Sequence, residues 1–300
     1  MKKSTIRKIG ILSSLIFVLP LLSACDTVFA PKDPNAQRSS ARSTSATSTY
    51  NLSDAEKEKL DDYEKVKKAD AHRNLGNAYL QNGRHNMALA EFKSALQLTP
   101  GNYDLMYDIG LVYLLWNNPE DAIVYFEDVL AIRPDHAPAI NSMGNAYLAL
   151  KDYDQAILYY QKINDGMVYG TPYMPMANMG LAYFNKGDYA KAEECYKAAL
   201  KMEPNYVNAL VLLGQLQIET GNTQEALKNL QKAARLESSA PVVQYYLGQA
   251  YAKSGDRVQA ATAFENALKT APAESEVYER SADELRKLHM PVQAQVEATE

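Results

Sequence analysis

Glycine recurs at Gly76, Gly110, Gly144, Gly180, Gly214 and Gly248, spaced 34, 34, 36, 34 and 34 residues apart. A fixed period in the range of about 20–50 residues marks a chain built from repeated units. Each unit is too small to bury its own apolar face and must stack on its neighbours. Such a chain folds into an extended surface instead of closing around a pocket, so its function is sought in what it grips.

The residues around each glycine repeat with it. Counting from Ala69, position 8 is always glycine, and position 20 is Ala88, Ala122, Ala156, Ala192, Ala226 and Ala260. Position 24 is large: Phe92, Phe126, Tyr160, Tyr196, Leu230 and Phe264. Gly83, Gly187, Gly221 and Gly255 hold position 15, and Pro100, Pro134, Pro204 and Pro272 hold position 32. Small residues let two antiparallel helices approach and large ones fill the space beside them. Glycine permits the tight turn between the helices, and proline stops the second one.

The units occupy residues 69–102, 103–136, 137–170, 173–206, 207–240 and 241–274, and Thr171 and Pro172 account for the 36-residue step. This pattern closely resembles the tetratricopeptide repeat. The resemblance implies an all-α fold, a right-handed superhelical solenoid of six tetratricopeptide repeats with a C-terminal capping helix. Residues 275–300 supply that helix and a tail. Within Ser275–His289, residues Val277, Tyr278, Ala282, Leu285 and Leu288 share one face, able to cover the last open interface.

The start of the chain carries a different signal. Lys2, Lys3, Arg7 and Lys8 precede an apolar run from Ile9 to Leu22, followed by Leu22-Ser23-Ala24-Cys25. A basic start, a short apolar run and small residues before a cut describe a secretory signal peptide, residues 1–24. The sequence at the cut resembles a bacterial lipobox, which implies that Cys25 becomes the lipidated amino terminus. The alternative is an uncleaved anchor, but the run is short for a span of about 30 Å of hydrocarbon, and Pro20 interrupts it. Asp26 resembles the signal that keeps enteric lipoproteins in the inner membrane. The protein is therefore expected in the cell envelope, lipid-anchored and facing the periplasm.

Residues 25–50 comprise the lipidated cysteine and a Ser/Thr-rich tether without apolar periodicity, whose r.m.s. reach is about 25–30 Å. Residues 51–68 read as a charged N-terminal helical extension that opens at Ser53, with Glu56 three residues on as in a capping box. From Cys25 onward the chain holds 27 basic and 36 acidic residues, a formal charge of −9. That balance argues against nucleic acid as a partner and against electrostatic docking on anionic lipid. With Cys25 acylated, Cys195 has no cysteine to pair with and reads as a small core hydrophobe.

No catalytic constellation emerges. His72, His85, His136 and His289 are not at metal-ligand spacing, and no glycine loop cradles phosphate. No metal, cofactor or small-molecule substrate is expected. Trp116, near a turn, reads either as a packed turn aromatic or as an exposed anchor for a partner.

In the tetratricopeptide repeat, positions 2, 5, 9, 12 and 13 of the first helix face inward. Carried onto this chain, the resemblance proposes a partner-binding groove at Asn77, Leu80, Tyr107, Leu111, Leu115, Asn141, Asn145, Leu181, Phe184, Tyr245 and Gln249. Carboxamides suit a peptide backbone, and the apolar side chains suit its residues. The alternative reading is packing, Leu114 and Leu148 above all. Arg73 stands among Asp70, Asp104 and Asp108, which argues against a clamp for a C-terminal carboxylate.

The lipobox, the tether and the repeats, with a tyrosine-containing insert before Asn178-Met179-Gly180-Leu181, together resemble the tetratricopeptide lipoproteins of type IV pilus biogenesis, the pilotins. That resemblance implies a non-enzymatic adaptor, anchored in the outer membrane through its lipid, whose protein partner is an outer-membrane secretin or another pilus assembly component. Two further readings stand beside it: a general periplasmic scaffold for peptidoglycan hydrolases or proteases, and a tight-adherence pilus assembly lipoprotein.

Overall fold

The computed structural model describes residues 53–164 and 169–289. The leader, Cys25, the tether, the side chain of Glu56 and the tail beyond His289 lie outside the described residues. So does part of the insert, residues 165–168.

Thirteen α-helices, and no strand, occur among the described residues. They are α1 (Asp54–Gln81), α2 (His85–Leu98), α3 (Tyr103–Leu115), α4 (Pro119–Ile132), α5 (Ala137–Ala149), α6 (Tyr153–Asn164), α7 (Tyr173–Lys186), α8 (Tyr189–Met202), α9 (Val207–Glu219), α10 (Thr223–Leu236), α11 (Pro241–Ser254), α12 (Arg257–Thr270) and α13 (Glu276–His289). The chain divides between Pro134 and Asp135 into two compact units, α1–α4 and α5–α13. No described helix is long and apolar enough to cross a membrane.

Local chemistry sets the helix starts. The Asn102 side chain accepts from the backbone N–H groups of Asp104 and Leu105 at 3.1 and 3.3 Å, and Asp188 and Asp256 cap α8 and α12 in the same way. Each such cap stabilises its helix by about 1 kcal/mol, because it satisfies a donor that has no partner within the helix. Pro119 sits in the first turn of α4, where its missing N–H costs nothing.

Packing within each unit repeats one contact. The side chain at position 24 lies under the glycine sixteen residues before it: Phe92 under Gly76, Phe126 under Gly110, Tyr160 under Gly144, Tyr196 under Gly180, Leu230 under Gly214 and Phe264 under Gly248. All six of these side chains are fully buried. A Cβ built on any of the six glycines would stand 2.5–2.7 Å from the side chain beneath it. The position-20 alanines are also fully buried, so the two helices meet over a stripe of small residues.

In the α1–α4 unit, Phe92, Leu105, Ile109 and Val112 anchor the core. In the α5–α13 unit the helices follow one another in sequence, and α5, α7, α9, α11 and α13 also touch in series along one side. Helix α13 buries Val277 and sets Leu285 and Leu288 on the core of α9–α12, while its outer face carries Arg286 and Lys287 bonded to Asp283 and Glu284. It caps the stack with a polar surface.

The turns show one feature that the glycines alone conceal. Gly83, Gly187, Gly221 and Gly255 take positive φ, and so do the residues at the same position in the other two repeats, Asn117 (φ 55°) and Lys151 (φ 61°). Asparagine tolerates this left-handed conformation, whereas an ordinary side chain is strained by about 1–2 kcal/mol. The geometry of the turn is therefore imposed by the paired helices even where glycine is absent.

Two substitutions follow with opposite sign. Gly144→Ala must displace a fully buried tyrosine ring and should destabilise by about 2 kcal/mol. Lys151→Gly should instead stabilise by about 0.5–1 kcal/mol, the relieved strain outweighing glycine's greater freedom when unfolded. Urea midpoints of the two variants against the parent check both.

Candidate interaction surface

Helix α1 faces its partner helices with Ala69 and Gly76, and α3 does so with Leu105, Ile109 and Val112, all buried. A different stripe of each helix is left open. On α1 it runs through Asp70, Arg73, Asn77 and Leu80, spaced three or four residues apart. On α3 it runs through Asp104, Tyr107, Asp108, Leu111 and Leu115. Asn77 is exposed, and Leu80, Tyr107, Leu111 and Leu115 are partly exposed. Tyr107 rests its ring on the buried Phe126, 5.8 Å between centroids, which fixes it at the edge of the stripe.

The two stripes are tied together by charge. Arg73 Nε donates to Asp108 Oδ2 at 2.6 Å, with the Arg73 side chain 36% and the Asp108 side chain 15% exposed. Burial pushes the Asp108 carboxyl above its ordinary range, against the downward pull of Arg73. Burial also works to lower the Arg73 guanidinium, but the carboxylates of Asp108, Asp104 and Asp70 outweigh it and the net direction is upward. A charge-assisted pair of this kind is costly to break from one side, because the partner left behind is a buried charge.

At the turn end of the same unit, Trp116 is 44% exposed and meets His85 edge to face, 6.3 Å between centroids. Trp116 is thus both open to solvent and packed on a turn neighbour, features of each of the two sequence readings.

The groove residues of the α5–α13 unit lie deeper. Asn141, Asn145, Leu181 and Tyr245 are buried, whereas Phe184 and Gln249 are partly exposed. Asn145 Oδ1 accepts from Tyr160 Oη at 2.7 Å and from Asn178 Nδ2 at 3.1 Å. Gln249 Nε2 donates to Tyr245 Oη at 2.7 Å. Leu148 is likewise buried and serves packing. The Asn178–Asn145 bond thus joins neighbouring repeats, while Tyr160 and Gln249 bond within their own repeats, and little of that side remains open. Asn178 entered the sequence reading only as part of the Asn178-Met179-Gly180-Leu181 motif and not as a bonding residue; the tyrosine in place of phenylalanine at Tyr160, above an asparagine at position 9, is the signal that marks the network.

Tyr196 occupies the position equivalent to Tyr160, but the equivalent of Asn145 is Leu181. Its buried hydroxyl finds no partner among the described residues. Cys195 beside it is buried, which pushes its thiol up to about 11. It is a neutral thiol at physiological pH, consistent with a packing role. No cluster of three or more His, Cys, Asp or Glu is placed to hold a metal among the described residues.

Models of the tetratricopeptide repeat match this chain at residues 67–135, 113–165, 178–241 and 211–275, together about two thirds of its length. Over 88 residues it is 35% identical to human protein O-mannosyl-transferase TMTC1, a match covering 29% of this chain and 10% of that protein. The chain thus spans about a tenth of the length of that curated relative. Among solved structures, PilW, a widely conserved type IV pilus biogenesis factor, aligns with a TM-score of 0.62 at 20% identity, covering 70% of this chain and 96% of PilW. PilF of Pseudomonas aeruginosa aligns with a TM-score of 0.60 at 20% identity, covering 74% of this chain and 99% of PilF. At this identity the likeness is one of fold.

The two buried tyrosines generate a paired prediction. Tyr160→Phe takes a donor from buried Asn145 and should destabilise by about 1 kcal/mol, whereas Tyr196→Phe should be neutral or stabilising. Denaturant unfolding compares them directly. Arg73→Leu should destabilise by about 2 kcal/mol at neutral pH, less than for a fully buried pair because Arg73 is partly exposed. The sign with pH follows from Asp108. Its folded carboxyl holds a proton more tightly than the unfolded one, so folding takes up a proton and acid favours the folded state. The deficit of the variant should be full at neutral pH and shrink as pH falls through the carboxylate range, which unfolding curves at pH 7 and pH 4 would read.

Proposed function

Because the chain belongs to the tetratricopeptide-repeat family, we propose that it is a non-enzymatic adaptor which holds a segment of an envelope protein against the open stripe of α1 and α3. The observation that carries this reading is the partly exposed row of Leu80, Tyr107, Leu111 and Leu115, beside exposed Asn77. Apolar side chains held half open along parallel rows suit one face of an incoming helix or the alternate side chains of an extended segment. Within the α5–α13 unit, Phe184 and Gln249 are the groove residues that stay partly exposed.

We infer further that residues 1–24 are cleaved and that Cys25 carries the lipid which tethers the body in the envelope, facing the periplasm. The lipobox-like Leu22-Ser23-Ala24-Cys25 supports this anchor. More than one acyl chain on a single residue gives stable anchoring, at about 0.8 kcal/mol for each buried methylene. The pilotin-like sequence and the fold likeness to PilW support assistance to secretin assembly in type IV pilus biogenesis at the outer membrane.

Deleting the gene should reduce the fraction of secretin recovered as heat-resistant multimers. The wild-type gene should restore it, and Cys25→Ala or the pair Leu80→Glu and Leu111→Glu should not. Normal multimers in the deletion strain would contradict the secretin role. Full restoration by the Leu80→Glu, Leu111→Glu variant would move the binding surface elsewhere, provided its circular dichroism stays helical.

A further inference from the structure

We propose that the segment held by the α1–α4 unit is cationic: its Lys or Arg side chains meet Asp70 and Asp104, while its apolar side chains lie on Leu80, Tyr107 and Leu111. The proposal rests on the reading of the α1–α3 stripe as the binding surface, and names the chemistry of what binds there.

The stripe is polarised along its length. Its leading end carries Asp70 and Arg73 on α1 and Asp104 and Asp108 on α3. Its trailing end carries Leu80 on α1 and Leu111 and Leu115 on α3. Three carboxylates therefore face one guanidinium, and that guanidinium is bound to Asp108 at 2.6 Å. Asp70 is exposed and Asp104 partly exposed, and neither forms a salt bridge among the described residues. Basic side chains nearby are engaged elsewhere, and Arg133 lies over the Tyr103 ring, 5.4 Å from its centroid. His72 faces α2, where Nδ1 meets Glu91 Oε2 at 2.6 Å, and Lys65 is bonded to Asp61 and Asp62. Lys67, one turn before Asp70, is bonded to neither carboxylate.

The sign of the partner follows from what Arg73 can do. An acidic segment would need that guanidinium, and withdrawing it would strand the buried Asp108 without a counter-charge. The same segment would meet the unpaired carboxylates of Asp70 and Asp104. A cationic segment instead finds two accessible carboxylates and leaves the Arg73–Asp108 pair intact. An amphipathic helix with basic residues at one end and apolar residues at i, i+3 and i+4 satisfies both ends of the stripe.

Random peptides of about a dozen residues, some three helical turns, displayed on phage and selected on the full-length protein in detergent would test this. The selected peptides should carry net positive charge. The tightest should lose about tenfold in affinity to Asp70→Asn/Asp104→Asn, and almost nothing to Glu120→Gln on the exposed face of α4. Neutral or acidic peptides whose binding is lost with Leu111→Glu would overturn the cationic partner and leave the groove standing. Binding that survives Leu111→Glu would overturn the groove, and this proposal with it. Should the double variant lose its helical signal, Asp70→Asn alone, at an exposed position, decides the charge: unchanged affinity overturns the proposal.

Discussion

The contact between a glycine on one helix and the large side chain sixteen residues later organises everything else in this protein. It brings the two helices of each repeat close enough that no methyl group fits between them. That closeness forces the turn between them into a left-handed conformation, glycine or not. It also leaves the first helix of each pair with one stripe sealed against its partner and another free. The free stripe is where neighbouring repeats either bind each other or present a surface.

The two units use that stripe differently. In α5–α13, Asn178 bonds across it to Asn145, which Tyr160 also holds from within its own repeat, and most of it is buried. In α1–α4 the ion pair Arg73–Asp108 crosses it, Asn77 is exposed, and Leu80, Tyr107, Leu111 and Leu115 stay partly exposed. A repeat architecture allows this division, because each interface is a local term that can be strengthened at one place and relaxed at another.

Much of the fold was legible in the sequence because its cause is periodic. Gly76 through Gly248, the buried rings at position 24 and the capping face of Val277, Leu285 and Leu288 all follow from spacing. What was not legible depends on neighbours in space. Lys151 gives no sign of a positive φ, since its turn is imposed by the helices it joins. Helix position assigned Asn141, Asn145, Leu181 and Tyr245 to the inward side, but not their depth, which the adjacent repeats set. The sequence placed Arg73 among three aspartates without telling that Asp108 holds it. The row of Leu80, Tyr107, Leu111 and Leu115 was readable as a stripe, but not that Leu80 and Tyr107 each rest one side on the core while keeping the other partly exposed.

The proposed binding surface is this row, and not the outer surface of the second helices. A photo-reactive amino acid placed at position 111 of the full-length protein in living cells tests it most directly, with position 124 on the exposed side of α4 as the comparison. A discrete crosslinked protein is expected from position 111 and none from position 124. A partner captured from position 124 alone would contradict it.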